Sequence, residues 1–187
     1  MTVLAGPGPR RTGAGESRIR RGSADDLEAM ERFLAELSPE SLYLRFLTGM
    51  SSGSLPGLAK HLLTPSALGG SLLAVRGDVV IGHAMWAPIP DTHSAAGVAA
   101  TVEIAVVVAD ASQGHGVGSR LVDELAVCVA RLGTQNVQAV ISAENHVVRR
   151  MITSRVGDAH YVRDGLLLTI TAGVGAIAVT QPAYGAA

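Results

Sequence analysis

The stretch VEIAVVVADASQGHGVGSRL, Val102 to Leu121, constrains the fold more than any other part of the chain. Its first half is dense in β-branched residues and reads as a buried central strand. Its end opens a helical period: Val117, Leu121, Leu125, Val129 and Leu132 recur at three or four residues, with Arg120, Asp123, Glu124 and Arg131 largely between them. Between strand and helix lie Gly114, Gly116 and Gly118. Strand, glycine loop and helix in succession imply a layered α/β domain. They also gather the free N–H groups of a helix N-terminus, where an anion is favoured.

The flanking sequence supplies the remaining elements. Ser23 reads as the cap of a helix burying Leu27, Met30, Leu34 and Leu37, with Asp25, Asp26 and Glu28 in its first turns, ending before Pro39. In SPESLYLRFLTGM, Ser38 is a cap and Pro39 takes the first helical position, with Tyr43, Phe46 and Leu47 expected on one face. A third short helix covers Leu55 to Leu63. SLLAVRGDVVIGHAMWAPI reads as two antiparallel strands turning at Arg76-Gly77-Asp78, followed by a loop from Pro88 to Gly97. After the long helix come a strand at VQAVIS, a helix from Asn145 to about Arg155, and a strand pair around Asp164-Gly165. At 187 residues and 48% hydrophobic, one domain is expected. Residues 1–17 are expected to be a flexible basic arm, 18–171 the folded domain and 172–187 a C-terminal tail.

Charge and composition exclude several classes. The net charge of -1 favours neither nucleic acid nor an anionic membrane surface, although 14 of the 15 basic residues are Arg. The single Cys128, at helical spacing among leucines, reads as core, and no internal disulfide can form. His61, His83, His93, His115, His146 and His160 show no metal-binding spacing, so no metal is expected. The N-terminus has no signal-type apolar run, and no run approaches the roughly 18 residues of a membrane span, so a cytoplasmic protein is expected.

The loop itself fits two familiar phosphate motifs poorly. A P-loop needs a lysine, and Lys60 is the chain's one lysine. A dinucleotide fingerprint needs glycine at 119, which is Ser, and an acidic residue at the end of the next strand, which is missing. What remains is Q-x-x-G-x-G at Gln113, Gly116 and Gly118. This resembles the acetyl-coenzyme A signature of the GNAT-superfamily N-acetyltransferases. Within that superfamily, SPESLYLRF and VEIAVVVADASQGHGVGSRL resemble segments of bacterial Pat-type protein-lysine acetyltransferases.

The resemblance implies an α/β (α+β) single domain, with a central mixed, mostly antiparallel sheet and helices on both faces. It implies acetyl-coenzyme A as cosubstrate, bound by Val106, Val107 and Val108 of the strand, by Gln113, Gly114, His115, Gly116, Val117, Gly118 and Ser119 of the loop, and by Asn145. Loop N–H groups from Gln113 to Gly118 would cradle the pyrophosphate. The backbone of Val106 and Val108 would hold the pantetheine and acetyl portion, while Asn145 also reads as a helix cap. His115 contributes its N–H rather than its ring. The acceptor implied is a protein lysine or, as the alternative, a small amine, in a monomer or homodimer; a non-catalytic acyl-coenzyme A sensor is a further reading.

Glu103 is the expected general base, because it is the one ionisable residue between Val98 and Val108 and matches the glutamate of Pat-type enzymes. Burial would raise its pKa. The competing reading is a half-exposed strand-end residue. Arg149 and Arg150 are candidate phosphate contacts or a solvated helix face. Many GNAT members carry a tyrosine further along the helix opened by Asn145, but Met151, Ile152 and Thr153 stand there, leaving water, Tyr43 or Tyr161 to protonate the leaving thiolate.

Overall fold

A computed structural model describes residues 17–49, 55–63, 69–89 and 101–176. The N-terminal arm other than Ser17, His93 and the end of the C-terminal tail lie outside the described residues. The sheet has seven strands: β1 (Arg18–Arg21), β2 (Gly70–Arg76), β3 (Val79–Pro88), β4 (Thr101–Val108), β5 (Asn136–Ser142), β6 (Ala159–Asp164) and β7 (Leu167–Gly173). Their order is β1-β2-β3-β4-β5-β7-β6, antiparallel except for the parallel β4–β5 pair. This is the mixed, largely antiparallel sheet expected. Helices α1 (Leu27–Ala35), α2 (Pro39–Phe46) and α3 (Leu55–Leu63) precede β2, α4 (Val117–Ala130) follows β4, and α5 (His146–Thr153) follows β5.

Alternation along the strands builds two cores. One face carries Leu72, Trp86, Val102 and their neighbours against Val117, Leu121, Leu125 and Val129 of α4. The other carries Leu73, Val75, Val80 and Val107 against α1 and α3. Ile141, Leu168 and Ile170 form a smaller cluster with Val148 and Ile152 of α5. Helices therefore cover both faces, as a sheet apolar on both sides demands.

Several boundaries differ from the sequence expectation. Strand β1 escapes detection because Arg18, Arg20 and Arg21 surround its single apolar residue, Ile19, which packs on the α4 side. Ser23 begins a short 3-10 turn rather than α1 itself. There the Asp26 carboxylate accepts from the Ser23 N–H (2.9 Å) and pairs with Arg20, which holds its pKa down at about 2. In α2, Tyr43 is exposed and Leu47 lies past the helix end at φ 57°. The inward side instead includes Ser41, Arg45 and Phe46. Strand β7 runs to Gly173, past the expected domain end, because Ala172 and Gly173 pair with Val137 and Asn136.

Trp86 fills the space over Gly70, its cross-strand partner. A Cβ on Gly70 would lie 2.0 Å from the indole Cζ2. The ring is 1% exposed and has nowhere to retreat. Gly70→Ala should therefore destabilise by about 3 kcal/mol, the upper range for overpacking, and lower Tm by roughly 6–12 °C for a domain of this size. A thermal melt checks this, and an unchanged Tm would show that the indole repacks freely.

Candidate active site

Strands β4 and β5 run together for three residues only: Thr101, Val102 and Glu103 face Asn136, Val137 and Gln138. Beyond that rung β4 stays with β3, and β5 stays with β7. The Ile89 N–H bonds the Thr101 carbonyl and the Ala109 N–H bonds the Ile81 carbonyl, so odd-numbered residues of β4 direct their peptide groups at β3. The even-numbered Val106 and Val108 turn theirs towards the fork. Their side chains meanwhile pack against the α4 core. Val107 does the opposite: its side chain is buried on the α1–α3 face and its backbone faces His83, so it offers no group to the fork.

The loop closes the end of β4. The Gln113 side chain donates to the Val108 carbonyl (3.1 Å) and to Ser41 Oγ (3.2 Å). Its backbone N–H is bound to the Asp110 carbonyl. The free N–H groups thus begin at Gly114 rather than Gln113. The first helical bond of α4 runs from the Arg120 N–H to the Gly116 carbonyl, which leaves Val117, Gly118 and Ser119 without intrahelical acceptors. Val117 is buried and anchors this turn to the core.

The three glycines are not equivalent. Gly114 and Gly116 have φ of 74° and 78°, where a side chain is strained. Gly118 has no such requirement, and an added Cβ would meet only Val108 Cγ2 at 3.5 Å, an ordinary contact. Neither conformation nor packing within the protein demands glycine there. A ligand lying on the first turn of α4 would, so the loop fits a diphosphate-bearing group.

His115 is exposed, and its Nδ1–H donates to the Gln113 carbonyl (2.7 Å), so its ring is tied to the loop. Asn145 accepts from the Val148 N–H (3.1 Å) as the cap of α5, which leaves its amide N–H₂ available. Tyr43 and Tyr161 are both partly exposed; Tyr161 stands on the outer strand β6, with β5 and β7 between it and β4. Tyr161 is thus set apart from the β4 edge, whereas Tyr43 belongs to α2. Arg149 and Arg150 line, with His146 and Thr153, an open surface cavity of about 360 Å³.

Glu103 occupies the last rung before the fork and is exposed. The burial expected for it does not occur: β3 and β5 pair with it on both sides, but its side chain stands exposed on the face of the sheet. Sequence reading missed the group facing it. Arg45 of α2 lies within the electrostatic reach of Glu103, and burial brings its pKa down to about 10. The two form no ion pair; among the described residues the ion pairs are Arg20–Asp26 and Arg155–Asp123.

Helix α2 is held over β4 by Asp110, whose carboxylate accepts from the Ser38 N–H (3.0 Å), Ser38 Oγ (2.8 Å) and Ser41 Oγ (2.8 Å). These bonds hold the Asp110 pKa below its usual value against a desolvation that would raise it. A depressed carboxylate stabilises above its unfolded pKa of about 4 and loses that contribution as pH falls through the folded value. Asp110→Asn should cost about 1 kcal/mol at pH 7. In melts against pH, the gap between variant and parent should close as pH drops below about 4, and a gap independent of pH would exclude the clamp.

Among the described residues, no group of three or more His, Cys, Asp or Glu side chains could hold a metal ion, and no helix is long and apolar enough to cross a membrane. No curated protein matches the chain. Solved structures do. The GNAT domain of S. lividans PAT is similar at 23% identity and TM-score 0.70, over 84% of this chain and 90% of that one. A GCN5-related N-acetyltransferase from Kribbella flavida is similar at 21% and 0.64, over 84% and 97%. So is yncA of Salmonella typhimurium, a structure with its cofactor acetyl-CoA, at 22% and 0.60, over 92% and 99%. Residues 34–157, from the end of α1 through α5, match the acetyltransferase (GNAT) family, and they contain the fork, the loop and α2. By that match and by the fold, the chain belongs to the GNAT family of acetyltransferases.

Proposed function

We propose that the protein transfers the acetyl group of acetyl-coenzyme A to a primary amine, a protein lysine side chain being the first choice of acceptor. The observation that carries this reading is Gly118. It is a helix-first-turn glycine that the protein's own packing does not need, beside free N–H groups and the open edge of β4. The N–H groups of Gly114 to Ser119 hold the pyrophosphate. The Val106 backbone and the Asn145 amide orient the pantetheine arm, and the Val106 N–H is placed to stabilise charge on the acyl oxygen.

Acetyl-coenzyme A supplies an activated thioester: the new C–N bond replaces the C–S bond, the acceptor ammonium loses two protons in all, the coenzyme thiolate takes up one, and one is released to solvent. An amine of pKa about 10.4 is nearly all ammonium at neutral pH, so the first proton must leave before attack. Glu103, exposed at the closed end of the fork, accepts that first proton directly or through water. The SPESLYLRF segment and Glu103 support lysine by their likeness to Pat-type enzymes. Water protonates the thiolate, with Tyr43, exposed on α2, as the alternative donor.

Calorimetric titration with acetyl-coenzyme A, paired with a thiol-release assay on lysine peptides and polyamines, tests the reading. Binding with release on lysine peptides is expected. Release on polyamines alone would move the acceptor to small amines. The lack of a tyrosine on α5 favours one second reading, an acyl-coenzyme A sensor, which binding without release on any acceptor would establish.

A further inference from the structure

Arg45 is the one described arginine whose Nε is shut off from solvent without a hydrogen-bond acceptor. The residue is partly exposed, but at other atoms. Its recorded contact is the ring of the adjacent Phe46, 4.7 Å from the guanidinium carbon. A cation–π contact of this kind gives back less than desolvating a guanidinium without a partner costs. Glu103 offsets part of this through space but does not bond it. His83, whose pKa burial and then the Arg45 charge drive down to about 3, stays neutral and makes no hydrogen bond to Arg45, its own Nδ1 being buried and unbonded as well.

The helix that carries Arg45 is meanwhile fixed in place. Ser38 and Ser41 are clamped to Asp110, and Ser41 also receives the Gln113 amide, one helical turn from Arg45. A preset guanidinium with a buried, unbonded Nε, within electrostatic reach of the Glu103 carboxylate, has the form of half a recognition site. The planar donor fork of Arg matches a carboxylate.

We propose that Arg45 receives a carboxylate carried by the acceptor, so that the acceptor is an amine flanked by a negative charge, its carboxylate on Arg45 and its ammonium directed to Glu103. This rests on the acetyl-transfer reading of the site. The carboxylate belongs either to a small amino acid or to an acidic side chain beside a protein lysine, and both present the same chemistry to the arginine.

The test uses the full chain and two probe pairs: 4-aminobutanoate with 4-aminobutanamide, and a lysine–glutamate peptide with its lysine–glutamine counterpart. In ¹⁵N NMR, the Arg45 Nε–H signal should shift saturably with the carboxylate member of at least one pair and not with its amide, with or without coenzyme A. Whichever pair responds identifies the source. In turnover, the native enzyme should prefer the carboxylate member by about tenfold or more in KM, and Arg45→Gln should abolish the preference while coenzyme A affinity stays unchanged. No shift with any probe, or equal shifts with acid and amide, overturns the proposal even if Arg45→Gln fails to fold. Loss of coenzyme A binding by the native protein would instead overturn the acetyl-transfer reading, and the titration without coenzyme A would still decide the role of Arg45.

Discussion

Glu103→Gln should lower kcat by about 10²–10⁴-fold, the usual contribution of a positioned proton acceptor, with acetyl-coenzyme A affinity unchanged. The side chain stands one rung before the open edge of β4 and is exposed, so an acceptor ammonium can reach it. Among the described residues its carboxylate makes no hydrogen bond or ion pair, so the substitution removes only a through-space attraction from an exposed side chain to Arg45. Stability should therefore stay within about 0.5 kcal/mol of the parent. The effect should fall on kcat rather than on donor binding, because the loop proposed to hold the pyrophosphate lies at the other end of β4. Glu103→Asp, shorter by one methylene, should recover part of the rate. Turnover by Glu103→Gln equal to the parent across pH would remove Glu103 as the base and leave proton removal to solvent.

Gly118→Ala should weaken acetyl-coenzyme A binding by about tenfold or more, equivalent to about 1.4 kcal/mol, while leaving the fold as stable or slightly more so. The two effects have separate causes. In the apo protein the new methyl meets only Val108 at 3.5 Å, and replacing glycine inside a helix by alanine is worth up to about 1 kcal/mol. In the complex the same methyl occupies the space over the first turn of α4, where the pyrophosphate would approach the backbone. Gly116→Ala is the control of opposite design, since at φ 78° it strains the fold as well as the site. Calorimetry and melting of both variants decide the matter. A Gly118→Ala protein that binds the donor normally would reduce the glycine to a feature of the turn.

The loop, α4, the hairpin and the final strand pair were legible because their signals are local. Glycine at a turn, a 3.6-residue period and runs of β-branched residues each act within a dozen positions. Strand β1 was not legible, because four residues with three arginines carry no alternation that sequence alone can read, and it exists through pairing with Leu72 to Val75 of β2. Tyr43 was misassigned because the apolar content of α2 spreads around the helix. Which side turns inward is settled by the anchoring of Ser38 and Ser41 to Asp110, far along the chain.

The candidate site divides the same way. By itself the sequence determined a row of free donors: a glycine loop between a strand and a helix leaves the N–H groups of the first helical turn unbonded wherever that unit is placed. It also put a single carboxylate on the strand. Only the tertiary structure decided that β4 and β5 part after Glu103, that this carboxylate is exposed rather than buried, and that Arg45 comes within its electrostatic reach with Nε buried and unbonded. Those facts depend on how many rungs two distant strands share and on where a clamped helix settles. Burial and charge pairing are properties of the assembled layers, which no local pattern encodes.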